Sequence, residues 1–354
     1  MRAIAVKAVL ATSVVGGLLV GCSSSGGGDA GAKKAAGGRN PVMGASAGAT
    51  EGPSAAPSAL ADGMGSDKDT DGAFPRTVTH FAGRTTLKAE PKKIAVLSTG
   101  QLDDLLSLGI VPTATTRADN AGLVPDYLAD AFPKDKARLA GMADAGTRQA
   151  PNLESLAAAE PDLILANDSL GELYPKLSKI APTVITAGNG INWKRDLLLV
   201  GDAVGRGEAA HDMLDEIVGD AEEKGKAVEG DPSVSMVRFT PDRTRMFGVS
   251  SFTGSIAVDM GLQRPASQRF HAISEDIGAE SIDTADGDWI FYSGQGDSGS
   301  TDASVAVVAG PLWKSMKAVR AGHAVKVDDD PWYLNAGPTA ARLVIRQLAE
   351  HLGT

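Results

Sequence analysis

The sequence predicts an α/β protein of two lobes joined by a single long helix, with a ligand cleft between the lobes. Three observations lead there. Short apolar runs, each followed by a polar turn and a helical pattern, recur over residues 94–186, the rhythm of a buried parallel sheet with helical crossovers. A second series of the same kind starts at Val234 and continues to the C-terminus. Between them, Ala210, Met213, Leu214, Ile217 and Ala221 form one helical stripe within residues 193–228. A chain of 354 residues is long enough for about two domains of ~150 residues.

Taken in order, the chain begins with an address. Residues 1–7 are short and basic, residues 8–20 are apolar, and Gly21-Cys22 follows. That is the pattern of a secretory signal, with an apolar core too short to cross a bilayer of ~30 Å. Leu19-Val20-Gly21-Cys22 resembles the bacterial lipobox, in which the cysteine thiol is acylated and becomes the first residue of the mature chain. Residues 1–21 therefore read as a signal peptide. Residues 22–73, rich in Ser, Gly and Ala, read as the lipidated Cys22 followed by a flexible leash, because such composition buries too little surface to offset chain entropy. The only cysteine leaves no intrachain disulfide.

The N-terminal lobe is expected over residues 74–192. Residues 94–97 form a first strand, the turn 98–101 leads into a helix carrying Leu102, Leu105, Leu106 and Leu108, and Gly109 ends it. Strands follow at 111–115, 161–165 and 182–186, and a helix capped by Asn152 covers 152–159. The connecting helix spans 193–228 and carries a Gly205-Arg-Gly207 interruption. In the C-terminal lobe, 229–354, strands are expected at 234–239, 245–249, 289–292, 305–308 and 324–327, with helices at 256–260 and from 338 to about 352. Loops at the carboxyl ends of such strands are where ligands bind.

Four stretches taken together resemble one family. They are Arg84-Thr-Thr-Leu with Pro91-Lys-Lys-Ile-Ala-Val-Leu97; Pro151-Asn-Leu-Glu-Ser-Leu-Ala-Ala-Ala-Glu-Pro-Asp-Leu-Ile-Leu165; Pro311-Leu-Trp-Lys-Ser-Met-Lys-Ala-Val-Arg-Ala-Gly-His323; and Val327-Asp-Asp-Asp-Pro-Trp332. In this order, behind a lipobox, they are similar to the cluster III (helical-backbone) solute-binding lipoproteins of ABC importers, and in particular to the iron-siderophore receptors of actinobacteria and other Gram-positive bacteria. The resemblance covers about residues 74–354. It implies the class III periplasmic-binding-protein fold and a monomeric, lipid-anchored receptor on the outer face of the membrane. Such a receptor passes a ferric siderophore to the permease subunits of an importer.

Candidate ligand residues follow from strand-end positions. Arg238 ends an apolar strand, where a guanidinium is either a paired structural ion or a ligand-facing fork for chelate oxygens; the resemblance implies the second. Trp332 and Tyr333 follow three aspartates in a turn and serve either as core caps or as a flat ligand wall, as do Phe252 and Tyr292. Thr99, Gln101, Arg117, Arg148 and Asn167 occupy the corresponding turns of the first lobe. The resemblance further implies that Glu154 and Glu280, one on each lobe, dock to arginines of the permease, although Glu154 also suits the first turn of its helix.

Composition excludes other classes. The net charge of −10 becomes −12 once residues 1–21, with Arg2, Lys7 and no acid, are removed, and such a surface repels nucleic acid. The five histidines, at 80, 211, 271, 323 and 351, form no HxH or HxxxH pair, so neither a bare divalent ion nor a cofactor is expected. A hexadentate siderophore already fills iron's coordination sphere, and the protein then supplies hydrogen bonds and aromatic walls rather than metal ligands. Hydroxamate chelates, neutral or mildly cationic, suit the acidic chain better than anionic catecholates. Haem, with Tyr333 as axial ligand, and a corrinoid remain alternatives, and an enzyme is disfavoured because no serine sits in a recognised nucleophile motif.

Overall fold

The computed structural model describes residues 56–98, 100–118, 122–295 and 302–353. The first described segment is not a leash. Ala56 is buried, Leu60 and Met64 pack on the core, and β1 (Gly65–Ser66) pairs with β2 (Arg76–His80), which pairs with β3 (Gly83–Leu87). The buried Arg76 guanidinium donates to the carbonyls of Thr70, Ala73 and Asp202 at 2.8–3.1 Å. The expected leash of residues 22–73 is therefore corrected. Residues 56–73 belong to the fold, held by a few apolar anchors and main-chain hydrogen bonds that their composition does not advertise. Residues 1–21 and Cys22 lie outside the described residues.

The first lobe is a five-stranded parallel sheet of β4 (Ile94–Val96), β5 (Ala114–Arg117), β6 (Ala143–Thr147), β7 (Leu163–Asn167) and β8 (Thr183–Thr186). Its order is β6-β5-β4-β7-β8. The chain moves outward from β4 to β6, then crosses to β7 on the other side, so a topological switch point lies between β4 and β7. Helices α1 (Gln101–Ser107), α2 (Asp126–Ala131), α3 (Lys136–Ala140), α4 (Leu153–Ala158) and α5 (Tyr174–Ile180) make the crossovers. Asn152 caps α4 as expected, its Oδ1 accepting from the amides of Glu154 and Ser155 at 3.0 Å.

The connection is a helix pair rather than one rod. α6 (Trp193–Val204) stops at Gly205, whose φ of 72° is left-handed, and α7 (Gly207–Lys226) turns back against it. A glycine in that conformation ends a helix at little cost, and the apolar stripe of Ala210 to Ala221 lies wholly within α7. Asp71 seals the start of α7 by accepting from the amides of Glu208 and Ala209.

The second lobe is a mixed sheet, β11-β10-β9-β12-β13, of β9 (Val234–Thr240), β10 (Arg243–Phe247), β11 (Ser274–Ile277), β12 (Trp289–Gly294) and β13 (Ala324–Lys326). Strands β9, β12 and β13 run parallel, whereas β10 and β11 are antiparallel, so only half the lobe follows the expected βα rhythm. α8 (Phe252–Asp259) begins four residues earlier than expected because Ser251 caps it, accepting from the Gly254 amide at 3.0 Å. Residues 305–308, expected as a strand, form α9 (Val305–Val308), with Val305 exposed; four apolar residues do not distinguish the two states. The short α10 (Pro311–Ser315) and α11 (Lys317–Arg320) lead to β13. A π-helical turn, Asp330–Leu334, then precedes α12 (Pro338–Leu352).

One hydrophobic core runs through both lobes. It joins Leu102 and Leu105 of α1, the buried faces of α6 and α7, Met236 and Phe291 of the second sheet, Trp332, and Val344 and Leu348 of α12. Smaller clusters fill the outer faces of each sheet. The two halves are thus tied along one side, with a crevice open on the other.

Candidate ligand-binding crevice

The crevice has a volume of about 150 Å3. One wall comes from the first sheet and α6: Asp104 on α1, Gly188 to Gly190 beyond β8, Trp193 and Asp196. The other comes from Phe247 at the end of β10, Ser251 to Thr253 at the start of α8, and Ile273. Tyr333 to Ala336, crossing from β13 to α12, close the base with Trp332 behind them. Most of these positions lie beyond the carboxyl ends of strands, as the fold dictates.

Tight bonds hold the walls together below the opening. Trp193 Nε1 donates to Ser255 Oγ at 3.0 Å, and its ring meets Phe252 edge-to-face at 5.3 Å. Lys194 pairs with Asp259 at 2.7 Å, both side chains buried. Asp103 accepts from the amides of Thr339 and Ala340 at 3.0 Å, so a first-lobe carboxylate caps the start of α12. Gly100, at φ 88°, lies against the Ala336 carbonyl, where a Cβ would stand 2.2 Å from the oxygen.

Two carboxyls belong to the first-lobe wall. Asp196 accepts from the amides of Ala187 at 2.9 Å and Gly188 at 2.6 Å, yet burial outweighs these bonds and pushes its pKa up to about 7. Asp104 is 1% exposed, and its Oδ1 has no hydrogen-bond partner. Burial, then the nearby charges of Asp103 and Asp196, push its pKa well above the ordinary carboxylate range. Thr253 Oγ1 is likewise buried without a partner.

The structure divides the candidate ligand residues. Phe252 and Tyr333 line the crevice, Phe252 buried and Tyr333 half-buried, its hydroxyl donating to the Phe291 carbonyl at 2.8 Å and its ring 4.7 Å from Phe247. Trp332 is fully buried instead of exposed. It stacks on Phe291 at 5.1 Å and donates from Nε1 to Gln347 at 2.6 Å, so it backs the crevice as a core residue.

Tyr292 does not reach the crevice. Alternation along β12 turns it to the opposite face, where it packs on Phe239 and Trp313. Arg238 takes the paired role. Its Nε and Nη2 donate to Asp329 at 2.7 Å each, and Ser293 Oγ adds a third bond to the same carboxylate at 2.5 Å. Arg117 is hydrogen-bonded to Asp144 at 3.0 Å.

Arg148 donates to Asn335 Oδ1 at 2.8 Å beside a smaller cavity bounded by Tyr127, Thr115 and Thr116. Gln101 is a buried staple, its Nε2 reaching the Ala166 carbonyl and Thr186 Oγ1 across the switch point. Asn167 accepts from Ser169 Oγ at 2.6 Å, away from the crevice. Thr99 lies outside the described residues. Glu154 and Glu280 are both exposed, one opening α4 and one in the 3-10 stretch Ala279–Ala285.

Asp104, Asp196, Phe247 and Thr253 were not among the expected residues. The signal for the two acids was present in the sequence. Asp104 falls on the i, i+3, i+4, i+7 stripe of Gln101, Leu105 and Leu108, and Asp196 on that of Trp193, Leu197 and Val200, so each is an acid inside an apolar face. Among the described residues, no group of three or more His, Cys, Asp or Glu is arranged to hold a metal ion.

Comparison with known proteins agrees with this architecture. The "probable siderophore-binding lipoprotein" YfiY of Bacillus subtilis is 31% identical over 295 residues, covering 79% of this chain and 88% of its own. The petrobactin-binding protein YclQ of the same organism is 29% identical, covering 74% and 83%. Among solved structures, Staphylococcus aureus SirA complexed with staphyloferrin B superposes with a TM-score of 0.67 at 28% identity, covering 78% of this chain and 98% of that one. The family model described as "periplasmic binding protein" matches residues 94–331, and the chain belongs to that family, whose members are binding proteins of ABC transporters rather than enzymes.

Proposed function

We propose that this protein is an extracytoplasmic receptor, anchored through a lipid on Cys22 once residues 1–21 are removed, that binds a ferric siderophore of the hydroxamate class and delivers it to an ABC importer. It works as a monomer, with residues 74–192 and 229–354 as its lobes. The chelate keeps all six iron positions, so the protein contributes walls and hydrogen bonds and no metal ligand. Relatives named for siderophores support the ligand type, among them the iron(3+)-hydroxamate-binding protein FhuD of Bacillus subtilis, 27% identical over 282 residues.

One observation carries the choice of class. Among the described residues, the crevice is lined by aromatic rings and two carboxyls, and by no lysine or arginine. The arginines that could have answered an anionic chelate already have partners: Arg117 with Asp144, Arg148 with Asn335 at the base of the crevice, Arg238 with Asp329, and Arg245 with Asp276. A tris-catecholate or citrate complex would bring several negative charges to carboxyls with no counter-ion, which low dielectric penalises. A neutral or cationic chelate avoids that cost.

The test is a tryptophan-fluorescence titration across a panel of ferric chelates, since Trp193 and Trp332 border the crevice. A ferric trihydroxamate should quench saturably at sub-micromolar concentration. Saturation by a catecholate, haem or a corrinoid with no response to the trihydroxamate would overturn the assignment.

A further inference from the structure

Resting on the siderophore reading, we propose that Asp104 is a specificity-determining residue that receives a protonated amino group carried on a flexible arm of the chelate. Three independent features of the crevice converge on that chemistry. The first is size. About 150 Å3 is well below the ~300–1,000 Å3 that encloses a whole drug-sized ligand. The chelate body therefore rests at the mouth, and only a slender extension enters.

The second is the acceptor. Asp104 Oδ1 is buried and has no partner, an expense of about 1–3 kcal/mol that a native structure seldom leaves in place without use. The charged groups acting on it are Asp103 on its own helix and Asp196 on α6; both are acids, and no base offsets them. Burial and two neighbouring acids disfavour its ionised form, and an ammonium beside it would give that form its missing counter-charge.

The third is the wall. Phe247, Phe252 and Tyr333 line the same crevice as Asp104. Aromatic faces beside a carboxylate suit an alkylammonium, accommodating its methylenes and attracting its charge. A carboxylate-bearing arm would meet repulsion there, and an arm ending in an amide would leave Asp104 without its ion pair.

The experiment compares two ferric complexes of one linear trihydroxamate, one with a free terminal primary amine and one with that amine acetylated, by fluorescence titration against wild type and Asp104→Asn. The wild type should bind the free-amine complex on the order of 10- to 100-fold more tightly, the range of a charge-assisted hydrogen bond. Asp104→Asn should bring the two complexes to the same affinity, and its binding of the acetylated complex reports that the variant is folded. Equal affinities in the wild type, or an undiminished preference in Asp104→Asn, would overturn the role of Asp104 and leave the siderophore reading standing. Failure of the wild type to bind either complex would overturn the reading on which it rests.

Discussion

A carboxyl in a crevice wall is governed by what surrounds it more than by its own chemistry. Asp196 accepts two main-chain amides and still has a pKa of about 7, far above the ordinary 3.8, because burial dominates. A raised pKa means that the folded state holds the proton longer than the unfolded chain. The stability from this group is complete below pH ~3.8 and is lost as pH rises through 7. His80 works in the opposite sense. Burial lowers its pKa to about 4, so its share of stability is lost as pH falls from ~6.5 through 4. Comparing variants separates the two: urea unfolding at pH 4.5 and 7.5 should show wild type losing, relative to Asp196→Asn, about 1–4 kcal/mol between those values. An identical pH profile for the two proteins would contradict the buried, protonated carboxyl. Arg238 shows where single residues outrun the sequence. That it lies near the end of a strand was legible; its partner Asp329, 91 positions away, was hidden among three aspartates read only as a turn. Asp104 and Asp196 were legible in principle, since acids inside an apolar stripe are either paired or put to use.

At the scale of elements, local chemistry told most where punctuation was strong. The Asn152 cap, the Gly205 stop and the limits of α12 all agree with sequence expectation. The failures share a cause: residues 305–308 were too short to show a period, and residues 56–73 have a polar composition that hides a handful of anchoring contacts. Pairing direction was equally hidden: the polar β11, Ser274–Ile277, has no apolar run to mark it as a strand, and it pairs antiparallel with β10. Lys194 of α6 bridges to Asp259 of α8, both side chains buried. Lys194→Met should cost about 3–5 kcal/mol by leaving a buried carboxylate alone, and adding Asp259→Leu should restore much of it. Denaturant unfolding of the single and double variants reads both effects. A single variant within 0.5 kcal/mol of wild type (roughly the scatter of surface substitutions) would show that the pair does not tie the lobes.

For the whole molecule, a common core through α6, α7 and α12 argues against a wide hinge motion. On the proposed function, capture would depend on a preformed crevice, and delivery on an outer surface that a permease recognises in the loaded receptor. Glu154 and Glu280, one on each lobe, are exposed, and the resemblance implies that they serve this docking. Surface carboxylates facing arginines add orientation and association rate more than affinity. The double variant Glu154→Ala/Glu280→Ala should therefore bind chelate as wild type does while iron uptake by cells expressing it falls severalfold; unchanged uptake would remove both residues from docking. The class of fold, its two-lobe plan and its family were all readable from recurring strands and four motifs. The cleft between the lobes was expected too; its lining was not, because the walls combine segments from Asp104 to Ala336 that only the folded chain brings together.

On the proposed function, the protein holds an iron ion already caged by its chelate, above the crevice and between the lobes. X-ray absorption at the iron edge of the protein loaded with a ferric trihydroxamate tests this most directly. Six oxygen ligands at the distances of the free chelate are the expected result. A nitrogen ligand, or a changed shell showing a protein carboxylate or phenolate bound to iron, would contradict it.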